Sequence, residues 1–226
     1  MPKLFTDSRD STTTLILPAA GWGQRVHALT QGASKELLPD PQSGEPLIQK
    51  FLNFANEQNW SCLVLTRKEK TDLRSFLEGR AQVEIVPDTK DWPETVLFAE
   101  PFFTQKNFLC LPDTQFALDQ LLKAEALLQT ARLIYGSHWV RDPENWGIVT
   151  ETKVSEKCGF PSETLARSRA WGFMAFRKEV GKSLLLAHQK SNLERKPIPL
   201  PEKAQWIDLE EFSDLTRDTS AIKGGR

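Results

Sequence analysis

The sequence predicts an α/β domain, a Rossmann-like three-layer sandwich on a mixed, mostly parallel sheet. Strand and helix signals alternate through residues 13–130, the pattern of parallel strands joined by crossover helices. The strand segments are continuous apolar runs, as strands covered on both faces are. A length of 226 residues suits one large core better than two small ones.

The elements follow from local pattern. Residues 13–17 form the first strand, an apolar run closed by a turn. Residues 47–56 carry apolar side chains at helical spacing, 62–66 is a second buried strand, and 72–77 is helical. A short strand covers 83–86, and a helix over 95–102 follows Pro93. The apolar run 108–111 ends at Pro112-Asp113, and 116–129 is a leucine-rich amphipathic helix. Beyond it, 133–135, 146–150 and 171–176 read as strands and 178–189 as a helix. Residues 191–203 contain three prolines and form a connection, and 204–207 is a last short strand before an acidic segment. Residues 1–12 are expected to be a flexible N-terminus, 13–218 the domain, with halves at 13–130 and 131–218, and 219–226 a frayed tail.

The stretch with the most chemical content is Leu15-Ile-Leu-Pro-Ala-Ala-Gly-Trp-Gly-Gln-Arg25, with Lys35-Glu-Leu-Leu-Pro39 starting ten residues beyond Arg25. A strand runs straight into a glycine turn. Glycines let the backbone approach a bulky anion, and turn amides then point at its oxygens. Arg25 and Lys35 supply the countercharge. Two commoner phosphate loops are excluded. The dinucleotide fingerprint needs a third glycine, which Gly21-Trp-Gly-Gln-Arg-Val26 lacks, and a reductase using a nicotinamide cofactor falls with it. The P-loop needs Gly-Lys-Ser/Thr, also absent.

Residues 17–39 resemble the N-terminal signature of the sugar-1-phosphate nucleotidylyltransferases, in which Gly-x-Gly-Thr-Arg precedes Lys-x-Leu-Leu-Pro. Gly21, Gly23, Arg25, Lys35, Leu37, Leu38 and Pro39 match it, and Gln24 replaces the usual threonine. The resemblance implies that fold, that of the nucleotide-diphospho-sugar transferases. It also implies a nucleoside triphosphate and a sugar 1-phosphate, or similar phosphorylated metabolite, as substrates. Ala20, Gly21, Gly23 and Gln24 would then bind the nucleotide, with Arg25 and Lys35 catalytic.

Two polyphosphate-bearing anions repel one another, and magnesium held by carboxylates relieves that repulsion. Asp113 and Asp208 each follow an apolar strand run. By resemblance, Leu109-Cys-Leu-Pro-Asp-Thr-Gln-Phe116 supplies one metal ligand and Gln205-Trp-Ile-Asp208 the other. Pro112 stands where the family has glycine, and Leu209-Glu210 replaces a small pair after the second aspartate.

Asp91-Trp-Pro-Glu-Thr95 falls at the family's base-reading loop, with Glu94 in place of glycine. Trp92 and Thr95 are nucleotide-binding candidates there, while a plain helix N-terminus explains the segment equally well. Asn145-Trp-Gly-Ile-Val149, Ser155-Glu-Lys157 and Trp171-Gly172 resemble the acceptor pocket. By that resemblance Gly147, Glu156 and Gly172 lie along a sugar and Lys157 contacts its phosphate. The seven tryptophans alone do not argue for carbohydrate, since such side chains also fill cores and rims.

Composition sets limits. With a formal net charge of −1, the chain has no global basic field to recruit nucleic acid or an anionic membrane. Cys62, Cys110 and Cys158 are an odd set without Cys-x-x-Cys spacing, expected as reduced thiols of a cytoplasmic protein. His27, His138 and His188 are scattered without zinc spacing. Residues 1–11 lack a signal-peptide core, and the apolar runs are too short to span a bilayer. The expected activity is magnesium-dependent nucleotidyl transfer. The alternatives are a phosphocholine-type cytidylyltransferase and a non-catalytic nucleotide-binding or regulatory protein on the same scaffold. Base, acceptor and any homo-oligomer stay open.

Overall fold

The computed structural model describes residues 11–23, 30, 32–140, 143–157 and 168–214. Its centre is β1 (Thr13–Pro18), flanked in parallel by β2 (Ser61–Thr66) and β4 (Lys106–Cys110), with Leu15 opposite Cys62 on one side and Phe108 on the other. β3 (Gln82–Ile85) extends the parallel set beyond β2. The long β9 (Ser168–Arg177) runs antiparallel to β4. It also pairs with β6 (Leu133–Val140) and with β7 (Gly147–Val149), which leads through β8 (Lys153–Glu156) to β10 (Ile198–Pro199). β11 (Gln205–Asp208) lies parallel to β6. A separate ribbon pairs β5 (Thr114–Gln115) with β12 (Ser213–Asp214).

Side chains of β1 alternate between two cores. Leu15 and Leu17 pack against α1 (Gln49–Glu57), α2 (Thr71–Leu77) and α4 (Asp119–Leu127). Ile16 faces α3 (Trp92–Leu97) and α5 (Lys178–Glu194). Three layers result, because a strand buried on both faces needs a cover on each. Since β9 reverses against both β4 and β6, the carboxyl ends of β1, β2, β4, β6 and β11 share one edge.

The structure revises several expected elements. The helix expected over 95–102 starts at Trp92 and breaks into a 3-10 turn at Glu100–Phe102, where Pro101 has no N–H to continue it. The helix expected from residue 116 begins at Asp119, because Thr114 and Gln115 pair with β12 instead. β6 runs on to Val140 through polar residues, carried by its ladder with β9 and a register shift at Gly136/Ser137. The connection at 191–203 contributes the last helical residues of α5 and the two residues of β10.

Candidate active site

The turn after β1 is anchored by neighbours from β2. Ala19 donates its N–H to Leu65 O at 2.8 Å. Arg67, the residue after β2, donates from Nε to Ala20 O and stacks its guanidinium over Trp22 at 4.7 Å. Arg67 also pairs with Asp88 at 2.5 Å. Gly23 has φ of 64°, a left-handed conformation that favours glycine. An added Cβ at Gly21 would meet nothing within 4 Å, so space beside the turn is open.

Lys35 opens a 3-10 turn, Lys35–Leu37, that is clamped on both sides. Before it, Ser34 donates its N–H and hydroxyl to the two oxygens of Asp72, each at 2.7 Å. After it, Glu36 is fully buried and accepts from Lys70 Nζ at 2.8 Å. Burial pushes the Glu36 carboxyl up, against the pull of Lys70 and Lys35, and pushes the Lys70 ammonium down. The clamped turn delivers Lys35 Nζ to Asp113 Oδ2 at 2.5 Å.

Asp113 sits in a β-turn closed by Thr114 N–H on Leu111 O at 3.2 Å, with the Thr114 hydroxyl on the same oxygen at 2.8 Å. Pro112 takes the second position of that turn, where its fixed φ is favoured. The substitution of proline for glycine is therefore accommodated by the backbone. Lys50 adds a bond to Thr114 O at 2.6 Å.

Glycine turn, Lys35 and Asp113 line one cleft of about 560 Å3 with Trp92, Thr95, Gly147, Glu156 and Lys157. That volume suits a small-molecule site. Asp91 caps α3 by accepting from Glu94 N at 2.9 Å, and Glu94 reaches back to Lys90 N at 2.7 Å. Glu94 thus serves the helix start, while Trp92 and Thr95 line the cleft. Across from them, Lys157 holds φ of 53°, unusual for a side-chain-bearing residue, with its N–H on Trp146 O at 3.0 Å. Beside it Glu156 is 2% exposed and bonded to Trp171 and His188.

No protein-family model matches the chain, and no curated protein sequence matches it. Solved structures do. A protein described as a glucose-1-phosphate thymidylyltransferase of Bacillus anthracis, in complex with a sucrose, superposes with a TM-score of 0.70 at 18% identity over 95% of each chain. The UTP-bound UGPase of Acinetobacter baumannii gives 0.68 at 14%, covering 93% of this chain and 91% of that one. A UDP-glucose pyrophosphorylase from the same organism gives 0.67 at 15%, covering 94% and 91%. This is the sugar-1-phosphate nucleotidylyltransferase fold. At such identities the likeness fixes the architecture, and the site residues rest on their own geometry.

Within this nucleotidylyltransferase fold, the structure brings Ala20, Gly21, Gly23, Lys35, Trp92, Thr95, Asp113, Gly147, Glu156 and Lys157 to one cleft. Gln24 and Arg25 lie outside the described residues, as do His27 and Cys158 and most of the two terminal segments. Asp208 ends β11 on the shared edge but pairs with Arg169, its side chain 65% exposed, and is not among the residues lining the cleft. Among the described residues no three His, Cys, Asp or Glu side chains are grouped to hold a metal. The space beside Gly172 is filled by Phe212 and Leu209, at 2.6 and 2.7 Å from where a Cβ would stand. Sequence reasoning gave no site role to Arg67, Lys90, Trp171 or His188. For Arg67 a signal existed: it is the first charged residue after a buried strand, on the edge where ligands bind.

Proposed function

We propose that this chain transfers a nucleotidyl group from a nucleoside triphosphate to the phosphate of a sugar 1-phosphate or similar phosphorylated metabolite, releasing pyrophosphate. One observation carries the reading: an open glycine turn and the Lys35–Asp113 pair converge at the carboxyl ends of adjacent parallel strands, in one cleft. The turn amides, with Arg25, would hold the β- and γ-phosphates. Lys35 would meet the charge that develops at the α-phosphorus, and Lys157, fixed by its strained backbone, would orient the acceptor phosphate. Trp92 and Thr95 would border the nucleotide.

Magnesium fits this site on the chemistry of its donors. It commonly takes one or two carboxylates and completes its shell with substrate phosphates and water. Asp113 is such a carboxylate, already paired with a cation in Lys35. Asp208 would join as a second ligand only after leaving Arg169. When bound, the ion would neutralise charge between the two anionic substrates.

The test is pyrophosphate release from each nucleoside triphosphate against a panel of acceptor phosphates. Lys35→Ala should lower kcat by about 10²–10³. Asp113→Asn should abolish the dependence of rate on magnesium. Unchanged turnover in both variants would overturn the proposal. The Arg169–Asp208 pair favours a second reading, ligand binding without turnover, which predicts nucleotide-induced stabilisation with no pyrophosphate from any acceptor.

A further inference from the structure

The acceptor end of the cleft holds a buried charge without a cation. Glu156 Oε1 accepts from Trp171 Nε1 at 3.0 Å and meets His188 Nδ1 at 2.6 Å. On its other side His188 Nε2 lies 2.9 Å from the Tyr135 hydroxyl. Tyr135 and His188 are both fully buried, and Nε2 is the sole acceptor for that hydroxyl among the described residues. The O–H therefore donates and Nε2 accepts, which leaves the ring proton on Nδ1, donated to Glu156. Burial, with the Glu156 charge adding to it, holds the Tyr135 hydroxyl well above its ordinary range, so it remains a donor.

His188 is thus the Nδ1–H tautomer, and Glu156 Oε1 accepts from both His188 and Trp171. No Lys or Arg pairs with Glu156 among the described residues, where its ion-pair geometry is with His188. Its second oxygen, Oε2, has no hydrogen-bond partner among those residues, and Glu156 lines the cleft. A buried carboxylate with a free oxygen calls for a partner from the ligand.

The walls say what kind. Trp92, Trp146, Trp171 and Phe212 line the same cleft. Trp92 and Trp171 meet at 4.9 Å and 52°, Trp146 and Phe212 at 6.2 Å and 70°, so the rings form angled walls rather than flat stacks. Gly147 brings bare backbone under them: a Cβ there would stand 2.0 Å from Trp171 Nε1 and 2.7 Å from Glu156 Oε1. A sugar brings several hydroxyls, each needing a partner, and at this end Asn145, Glu156 and Lys157 are the polar side chains among the rings. An alkylammonium group needs the reverse, ring faces and one anion.

We propose that the acceptor is a phosphate ester with an alkylammonium head, its cation held between Glu156 Oε2 and the rings of Trp92, Trp146, Trp171 and Phe212, and its phosphate toward Lys157. The inference rests on the nucleotidyl-transfer reading of the same cleft. An acceptor phosphate oxygen forms the new bond to the α-phosphorus. The bond from that phosphorus to the α–β bridging oxygen breaks, and pyrophosphate leaves with the electron pair, so no further reactant is needed.

Calorimetric titration with phosphocholine, its neutral isostere 3,3-dimethylbutyl phosphate and glucose 1-phosphate tests it, alone and with α,β-methylene nucleoside triphosphates that block turnover. Phosphocholine should bind at least about tenfold more tightly than the isostere, and Glu156→Gln should bring the two within about threefold. Wild-type protein decides even where that variant fails to fold. Equal binding of phosphocholine and isostere, tighter binding of glucose 1-phosphate, or binding of none of the three would overturn the inference. A separate pyrophosphate assay keeps the two claims apart. Turnover of glucose 1-phosphate without cation preference sinks the inference and spares nucleotidyl transfer. Cation preference without turnover of any acceptor does the opposite.

Discussion

Gly147→Ala is the sharpest structural test of the proposed acceptor site. The new methyl carbon would stand 2.0 Å from Trp171 Nε1, where ordinary contact begins well beyond 3 Å. Trp171 is only 7% exposed and packed against Trp92, so it has little room to yield. Moving it breaks the 3.0 Å bond to Glu156, an interaction with a charged group worth about 1.5–3 kcal/mol. Overpacking adds about 1–3 kcal/mol. Together these give about 2.5–6 kcal/mol, and at roughly 2–4 °C per kcal/mol for a domain of this size the midpoint should fall by about 5–24 °C. Calorimetric melting measures it, and the acceptor KM should rise while the triphosphate KM holds. Gly21→Ala is the control, since its Cβ meets nothing within 4 Å. That variant should melt within a degree or two of the parent yet bind triphosphate more weakly, because the methyl obstructs only a ligand. A Gly147→Ala protein that melts like the parent, with acceptor KM unchanged, would refute the geometry of the Trp171–Glu156 wall.

Other outcomes follow from the buried charges and thiols. Lys70→Met strips Glu36 of its partner and should cost about 3–5 kcal/mol near neutral pH in urea unfolding. Burial already raises the Glu36 carboxyl above its ordinary value of 4.5, so the folded state favours the protonated acid. The deficit should therefore shrink as pH falls through that raised value and grow as pH rises through it; a pH-independent deficit would contradict the assignment. Burial pushes the Cys62 thiol up to about 12 and raises that of Cys110 further. In a Cys158→Ser background neither should react with a disulfide reagent until the chain unfolds, and a fast native reaction would show that the core opens.

The parts of the site legible in the sequence are those made by neighbours in the chain. Gly21, Gly23 and Lys35 announce themselves because a glycine turn directly after a strand and a lysine on a short turn are each readable over a few residues. The pairing of Lys35 with Asp113 was foreseeable only as two features at strand ends. Its distance required β1 and β4 to be adjacent and parallel. Asp113 and Asp208 look alike as sequence, each closing an apolar run. They part in space because one lies in a turn under Lys35 and the other is met by Arg169 from β9.

By itself, the sequence determined the layered α/β architecture and the open glycine turn, since burial on both strand faces and backbone room beside a turn are local demands written in residue order. Tertiary structure alone decided the Glu156 end of the cleft. The Glu156–His188 and Tyr135–His188 contacts span 32 and 53 positions, and the Gly147–Trp171 approach depends on how β7, β8 and β9 are laid side by side. Spacing along a chain carries no trace of such contacts, because their distances are fixed by sheet order and side-chain packing.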